Sequence, residues 1–221
     1  MADPGFDPNF LSVPAPLPAP GVVVRELPFT HFTVLLRPDR RLAVVTGVNL
    51  DGAELLDLER GDDWHVEPRV PVDEQVGPEL YADNDLDRGH LVRRRDPVWG
   101  EPEVAAQANL DTFSYVNAAP QAALSNQGET LWLGLEDYVL TQADTYDQRL
   151  SVFTAPVLAS HDPVYHGVQL PRGSERSPPG RRPVGTRPSG SLPPPATCST
   201  RARCWIRCCS RRSSRRRWAP T

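Results

Sequence analysis

Leu86-Asp87-Arg88-Gly89-His90-Leu91-Val92-Arg93-Arg94-Arg95 is the stretch on which the reading of this chain turns. Its composition from Leu86 to Val92 is that of a strand, and such a strand delivers His90 with Arg88 two residues before it. A neutral imidazole can take a proton from water. A guanidinium can neutralise a phosphate oxygen. Gly89 lets the backbone there pass close to a substrate or a metal. Arg93, Arg94 and Arg95 read in two ways, as a solvated charge run or as a patch that contacts phosphate.

Further blocks follow downstream. Phe113-Ser114-Tyr115-Val116-Asn117-Ala118-Ala119-Pro120-Gln121 comes first, then Asn126-Gln127-Gly128, then Trp132-Leu133-Gly134-Leu135-Glu136-Asp137. They add two asparagines and a glutamate. Amide and carboxylate oxygens suit a hard divalent cation such as magnesium, which usually keeps most of its waters. With His90 and Arg88 these are the parts that phosphodiester hydrolysis needs.

The order Asp-Arg-Gly-His, Asn-x-x-Pro-Gln, Asn-Gln-Gly, Trp-x-x-Leu-Glu resembles the DNA/RNA non-specific endonucleases of the ββα-metal (His-Me finger) superfamily. The resemblance runs from about Phe29 to Arg172. It implies an α+β fold in which a central antiparallel sheet is flanked by helices. It also implies cleavage of DNA and RNA without sequence specificity. His90 matches the family's general base, and Arg88 the arginine that contacts the scissile phosphate. Asn117 matches the asparagine that supports the site near His90. Asn126 matches the direct protein ligand to magnesium, with manganese as a substitute, and its type also suits a helix N-cap. Glu136 matches the carboxylate that holds a metal-bound water. In better-known members the tryptophan follows the ligand asparagine by four residues. Here Trp132 stands six after Asn126, and Glu129 falls in the extra residues as a second carboxylate candidate. Asp87 orients neighbours. The family also places a phosphate-binding arginine between residues 58 and 80, where Arg60 and Arg69 are both candidates. Together with Arg93 and Arg94, Arg60 completes the expected phosphate contacts.

Totals narrow the picture. The 221 residues suffice for one sizeable domain with tails. The formal net charge is −4, but it is unevenly spread. There is no lysine, and residues 173–221 hold twelve of the arginines and one acid, Glu175. The part before them is therefore strongly acidic. Nucleic acid must be drawn to it locally, by arginines and a bound cation, and not by an overall field. All four cysteines (Cys198, Cys204, Cys208, Cys209) lie in the tail, so disulfides do not hold the core. The N-terminus has neither the basic nor the apolar region of a signal peptide. No apolar run reaches the roughly twenty residues of a membrane span. The expectation is a cytoplasmic protein without a membrane partner; oligomeric state is not legible.

Three segments follow. Residues 1–28, with Val13-Pro14-Ala15-Pro16-Leu17-Pro18-Ala19-Pro20, read as an extended arm, because repeated proline blocks helix and sheet interior. Residues 29–172 read as the nuclease domain, C-terminally incomplete. Within it His31–Leu36 and Arg41–Asn49 are strands around Pro38-Asp39. His31 is a half-buried strand histidine. Residues 58–80, with His65 among acids, form a solvated loop with no metal template. Trp99–Asn109 holds a short helix, and Thr112–Val116 is a strand. A helix runs from Gly128 to Ala143 with Leu131, Leu135 and Val139 on one face and Trp132 in the core. Leu150–Thr154 and Tyr165–Leu170 are strands. Residues 173–221 are rich in Arg, Pro and Ser, cannot form a core and read as a disordered tail. A shifted frame in a GC-rich gene yields that mixture, and a basic nucleic-acid-binding tail is the other reading. A catalytically silent nucleic-acid-binding protein and a truncated inactive nuclease stand as the alternatives to an active enzyme.

Overall fold

The computed structural model describes residues 5–122, 134–171 and 202–209, with side chains for 5–121 and 139–171. Its centre is an antiparallel sheet. Strands β1 (Arg25–Phe29), β2 (Phe32–Arg37), β3 (Leu42–Asp51), β6 (Arg149–Pro156) and β9 (Ala202–Cys209) lie in the order β1-β2-β3-β6-β9. The first three form a meander. His31, with φ at 66°, turns β1 into β2, and the single turn at Pro38–Arg40 leads into β3. The two strands expected on either side of Pro38-Asp39 are therefore present. His31 is seated in the turn between β1 and β2, just ahead of β2, and not within a strand as expected. Its ring stacks on Trp99 at 3.6 Å, and its Nδ1 lies 2.8 Å from the Pro97 carbonyl oxygen.

Both faces of the sheet are covered, as the alternation of β-strand side chains requires when every residue of β2 up to Leu36 is buried. Phe32, Val34, Leu36, Val48, Leu50, Leu150 and Val152 point to one face. There they meet Leu91, Val92, Val116, Ala119, Leu140 and Ala143. Phe153 points to the other face and packs with Phe6, Leu11 and Ala15. The arm is thus part of the fold. Asp7 and Asn49 exchange two hydrogen bonds, from Asp7 N to Asn49 Oδ1 at 2.6 Å and from Asn49 Nδ2 to the Asp7 oxygen at 3.2 Å. Its last residues, from Arg25, already belong to β1. Burying a phenylalanine such as Phe153 contributes about 2–3 kcal/mol, which proline-rich sequence alone does not advertise.

The unit that carries His90 packs on the first face. β4 (Leu86–His90) pairs antiparallel with β5 (Ala118–Ala122), so His90 stands opposite Ala118 and Gly89 opposite Ala119. Helix α1 (Pro102–Asp111) lies between them in sequence, with proline in its first turn as expected. Helix α2 (Gly134–Thr145) follows β5 and buries Leu140 and Ala143. Gly52 admits its C-terminal end to the sheet, because a Cβ there would lie 2.0 Å from the Ala143 carbonyl oxygen. Two strands and a helix in this order are the ββα unit. Residues 123–133 lie outside the described residues, so the expected helix is described only from Gly134.

Three further expectations are corrected. Thr112–Val116 is not a strand. The chain leaves α1 through a turn into a 3-10 helix at Tyr115–Asn117. The Asn117 side chain takes backbone groups that a ladder would have used. Tyr165–Leu170 is not one strand but most of a tight hairpin. β7 (Val164–Tyr165) and β8 (Val168–Gln169) flank His166 and Gly167. Both turn residues have positive φ, as a type I′ turn demands. In the tail, Ala202–Cys209 pairs along β6 from Arg149↔Cys209 to Pro156↔Ala202. The edge of β6 offers unpaired backbone groups, and Cys-Trp-Ile-Arg-Cys is composition that a strand accepts. The rest of residues 173–221 lies outside the described residues. Among the described residues, no helix is long and apolar enough to cross a membrane.

Candidate active site

His90 ends β4 with its ring against two aromatic neighbours. Trp64 lies 4.8 Å away between centroids, tilted by 53°. Phe113 presents an edge at 5.2 Å and 86°. His90 Nε2 is buried and has no hydrogen-bond partner among the described residues. Burial, and after it the positive charges of Arg60, Arg94 and Arg88, push the imidazole pKa down to about 3. The ring is neutral at neutral pH.

Those three arginines form the electropositive wall of the site. Arg88 lies over the Trp64 ring at 5.2 Å and stands 4.0 Å from Asp62. Arg94 is anchored, donating to the Leu58 carbonyl at 2.9 Å and to Asn109 Oδ1 at 3.1 Å. Arg95 pairs with Asp57 at 3.4 Å. The structure separates the two candidates between residues 58 and 80. Arg60 bears on His90, while Arg69 is held elsewhere, on Glu67 at 2.6 Å, on the Pro28 carbonyl at 2.8 Å and over Phe29. His65 lies in the loop as expected. Among the described residues no group of three or more His, Cys, Asp or Glu is placed to hold a metal ion.

Asn117 is fully buried, with every polar atom of its amide engaged. Its Oδ1 accepts from Val92 N at 2.9 Å, and its Nδ2 donates to the Val92 and Thr112 carbonyls, each at 3.0 Å. Its own carbonyl accepts from Leu91 N at 2.9 Å. It clamps the chain just after His90 and does not reach out to a ligand. Gly89 also has a reason within the fold itself. A Cβ there would lie 2.2 Å from the side-chain amide of Gln121 on the paired strand. Asn126, Glu129 and Trp132 lie outside the described residues, and Glu136 is described only as a backbone position in the first turn of α2. Sequence reasoning missed Trp64, Phe113 and Tyr115 as the wall behind His90. Their only signal was large aromatic residues in otherwise polar or irregular segments.

A histidine at the end of one strand of an antiparallel pair, with a following helix packed on a central antiparallel sheet, is the arrangement of the ββα-metal class of nuclease folds. The chain belongs to the DNA/RNA non-specific endonuclease family, whose model matches residues 17–175. That span takes in the end of the arm together with the expected domain. A protein of Sinorhizobium fredii described as uncharacterized, y4fB, is 43% identical over 191 residues. The alignment covers 76% of this chain and 29% of that protein. The solved complex of EndoG with EndoGI contains a chain that superposes with a TM-score of 0.55 at 15% identity, covering 68% of this chain and 65% of the other. This chain therefore spans under a third of the curated relative and about two thirds of the EndoG-complex chain.

Proposed function

We propose that this domain is a divalent-cation-dependent endonuclease that hydrolyses phosphodiester bonds of DNA and RNA without sequence preference. The observation that carries the reading is a neutral, half-buried imidazole, His90, whose Nε2 is shielded from solvent and on which the positive charges of Arg60, Arg94 and Arg88 act. A neutral imidazole at physiological pH accepts a proton from the attacking water. Three guanidinium groups beside it attract a phosphate and oppose the charge that grows on its oxygens. A phosphate bound there also offsets the positive field that depresses His90, so basicity rises when substrate arrives.

The remaining roles follow from side-chain chemistry. Arg88, half-exposed over Trp64, binds the scissile phosphate. Arg60 supports it, while Arg94, tied to Leu58 and Asn109, contributes charge. Arg93 extends the contact to a neighbouring phosphate. Asn117 positions His90 through Val92 and acts on no substrate atom. The donor set fits a hard cation bound mainly by water and substrate oxygens. Asn126 would hold it, with Glu136 orienting its waters, and no cage of acidic side chains is needed. Magnesium, or manganese, would supply charge stabilisation at the leaving oxygen. Contacts of this kind address phosphate and carry no base information.

Incubating the purified protein with supercoiled plasmid and with RNA, in magnesium, in manganese and in EDTA, tests the reading. Degradation of both substrates with either cation and none in EDTA is expected. Cleavage indifferent to EDTA would remove the cation from the account. A cooperatively folded protein that binds nucleic acid and cuts neither substrate would replace the enzyme with a silent binding domain.

A further inference from the structure

We propose that Trp64 is a positioning residue for both halves of the reaction, seating the His90 imidazole and the Arg88 guanidinium against one indole ring. The inference rests on the nuclease reading above and extends it to a residue in a segment that looks like a polar loop. Trp64 meets His90 at 4.8 Å, Phe113 at 5.5 Å and Tyr115 at 5.6 Å, and carries Arg88 at 5.2 Å from its centroid. The indole is itself held at both ends. Its Nε1 donates to Asp62 Oδ1 at 3.0 Å. The next residue is stitched to the segment behind the site, His65 N to the Phe113 oxygen at 3.1 Å and Tyr115 N to the His65 oxygen at 2.9 Å. That segment runs directly into Asn117. One continuous set of contacts thus passes from Asp62 through Trp64 and Phe113 to the clamp on Val92.

The physical consequences are two. A large aromatic face against His90 excludes water from one side of the ring, which disfavours the imidazolium. The same ring attracts the guanidinium of Arg88 through its π face and narrows the positions that side chain samples. Asp62 then serves Arg88 as a second restraint. The charged groups that bear on His90 are Arg60, Arg88 and Arg94, with Asp62 partly compensating Arg88. Tyr115 meets Trp64 at 5.6 Å and is the other titratable group against the indole.

Three variants separate positioning from mere packing: Trp64→Phe, Trp64→Leu and Trp64→Ala. The readouts are the NMR titration of the His90 ring, identified by its loss in His90→Ala, and kcat and KM for plasmid nicking. Trp64→Ala is expected to raise the His90 midpoint by at least about one pH unit as water reaches the ring. The acid limb of kcat should move with it. Trp64→Leu keeps the apolar cover but gives Arg88 no ring, so the His90 midpoint stays low while KM rises several-fold. Trp64→Phe should keep both within about threefold of the parent, since a phenyl ring retains cover and π face. A folded Trp64→Ala, or Trp64→Leu if the alanine variant does not fold, with the parent's His90 titration and KM overturns the proposal. Because the titration needs no turnover, it answers even if the parent cleaves neither plasmid nor RNA, a result that would sink the nuclease reading alone.

Discussion

The Asn117 amide closes both backbone hydrogen bonds of Val92, at 2.9 and 3.0 Å, across 25 residues of sequence. Val92 lies two residues past His90, so this side chain sets where the β4 strand ends and at what angle the imidazole leaves it. A backbone pair in a ladder would have fixed the same groups with a less specific partner. Here one fully buried amide does so and also takes the Thr112 carbonyl.

Removing that amide leaves buried Val92 N–H and C=O groups without partners. Asn117→Ala should lower unfolding free energy by about 3 kcal/mol, at about 1–3 kcal/mol for each stranded group. Urea titration measures it. Nicking should fall further than the loss of folded protein explains, because His90 is no longer held. A loss below about 0.5 kcal/mol, within the range of an ordinary surface substitution, would mean that the clamp is not structural.

Gly89 and Gln121 form a second coupled pair. Gly89→Ala drives a methyl into the buried amide of Gln121 and should cost about 1–3 kcal/mol by overpacking. Adding Gln121→Ala removes the clash, so the double variant should be more stable than the sum of the two single changes. Additivity within about 0.5 kcal/mol would show that the two side chains do not meet.

Arg40 and Asp162 make a buried ion pair at 2.6 Å between the turn after β2 and the loop after β6, 122 residues apart. Arg40 also donates to the Ala159 and Gln169 carbonyls. Asp162→Ala strands the guanidinium and should cost about 3–5 kcal/mol. Replacing both partners with apolar residues should recover much of that. Thermal melts of the single and double variants decide the point.

His90 makes stability pH-dependent in a known direction. In the folded chain its pKa is about 3, and in the unfolded chain it is ordinary, near 6.5. Above about pH 6.5 both states hold the ring neutral, and the group contributes no slope. As pH falls below that, the unfolded state takes up a proton that the folded state refuses, and stability drops. His90→Asn should therefore flatten the loss between about pH 6 and 4, by up to about 1.4 kcal/mol per pH unit. Parallel curves for variant and parent would contradict the depressed pKa.

What could be read from the sequence was what is local. The β2 and β3 strands, the turn at Pro38-Asp39, the proline-started helix α1 and the strand that carries His90 all announce themselves within a window of ten residues, although that strand stops at His90 and not at Val92. The family pattern then placed His90, Arg88 and Asn117 in one site, and the structure brings Arg88 and Asn117 to the strand that bears His90. The rest depended on partners far along the chain. The arm reads only as extended chain, because nothing in its prolines reveals that Phe6 and Leu11 meet Phe153. Thr112–Val116 has strand composition, but Asn117 consumes the backbone groups nearby. Arg60 and Arg69 were equivalent in sequence and differ only because Glu67 and Phe29 hold the second. Trp64 had no periodic pattern to give it away, since its neighbours come from Phe113, Tyr115 and β4.

The central claim is that a neutral His90 takes the proton from the attacking water. The most direct measurement is single-turnover nicking of supercoiled plasmid at neutral pH in magnesium by His90→Ala beside the parent, with both melting curves in hand. The account predicts a loss of at least about 100-fold, the usual contribution of a positioned base, from a variant that still melts cooperatively. A folded His90→Ala that nicks within a few-fold of the parent would contradict it.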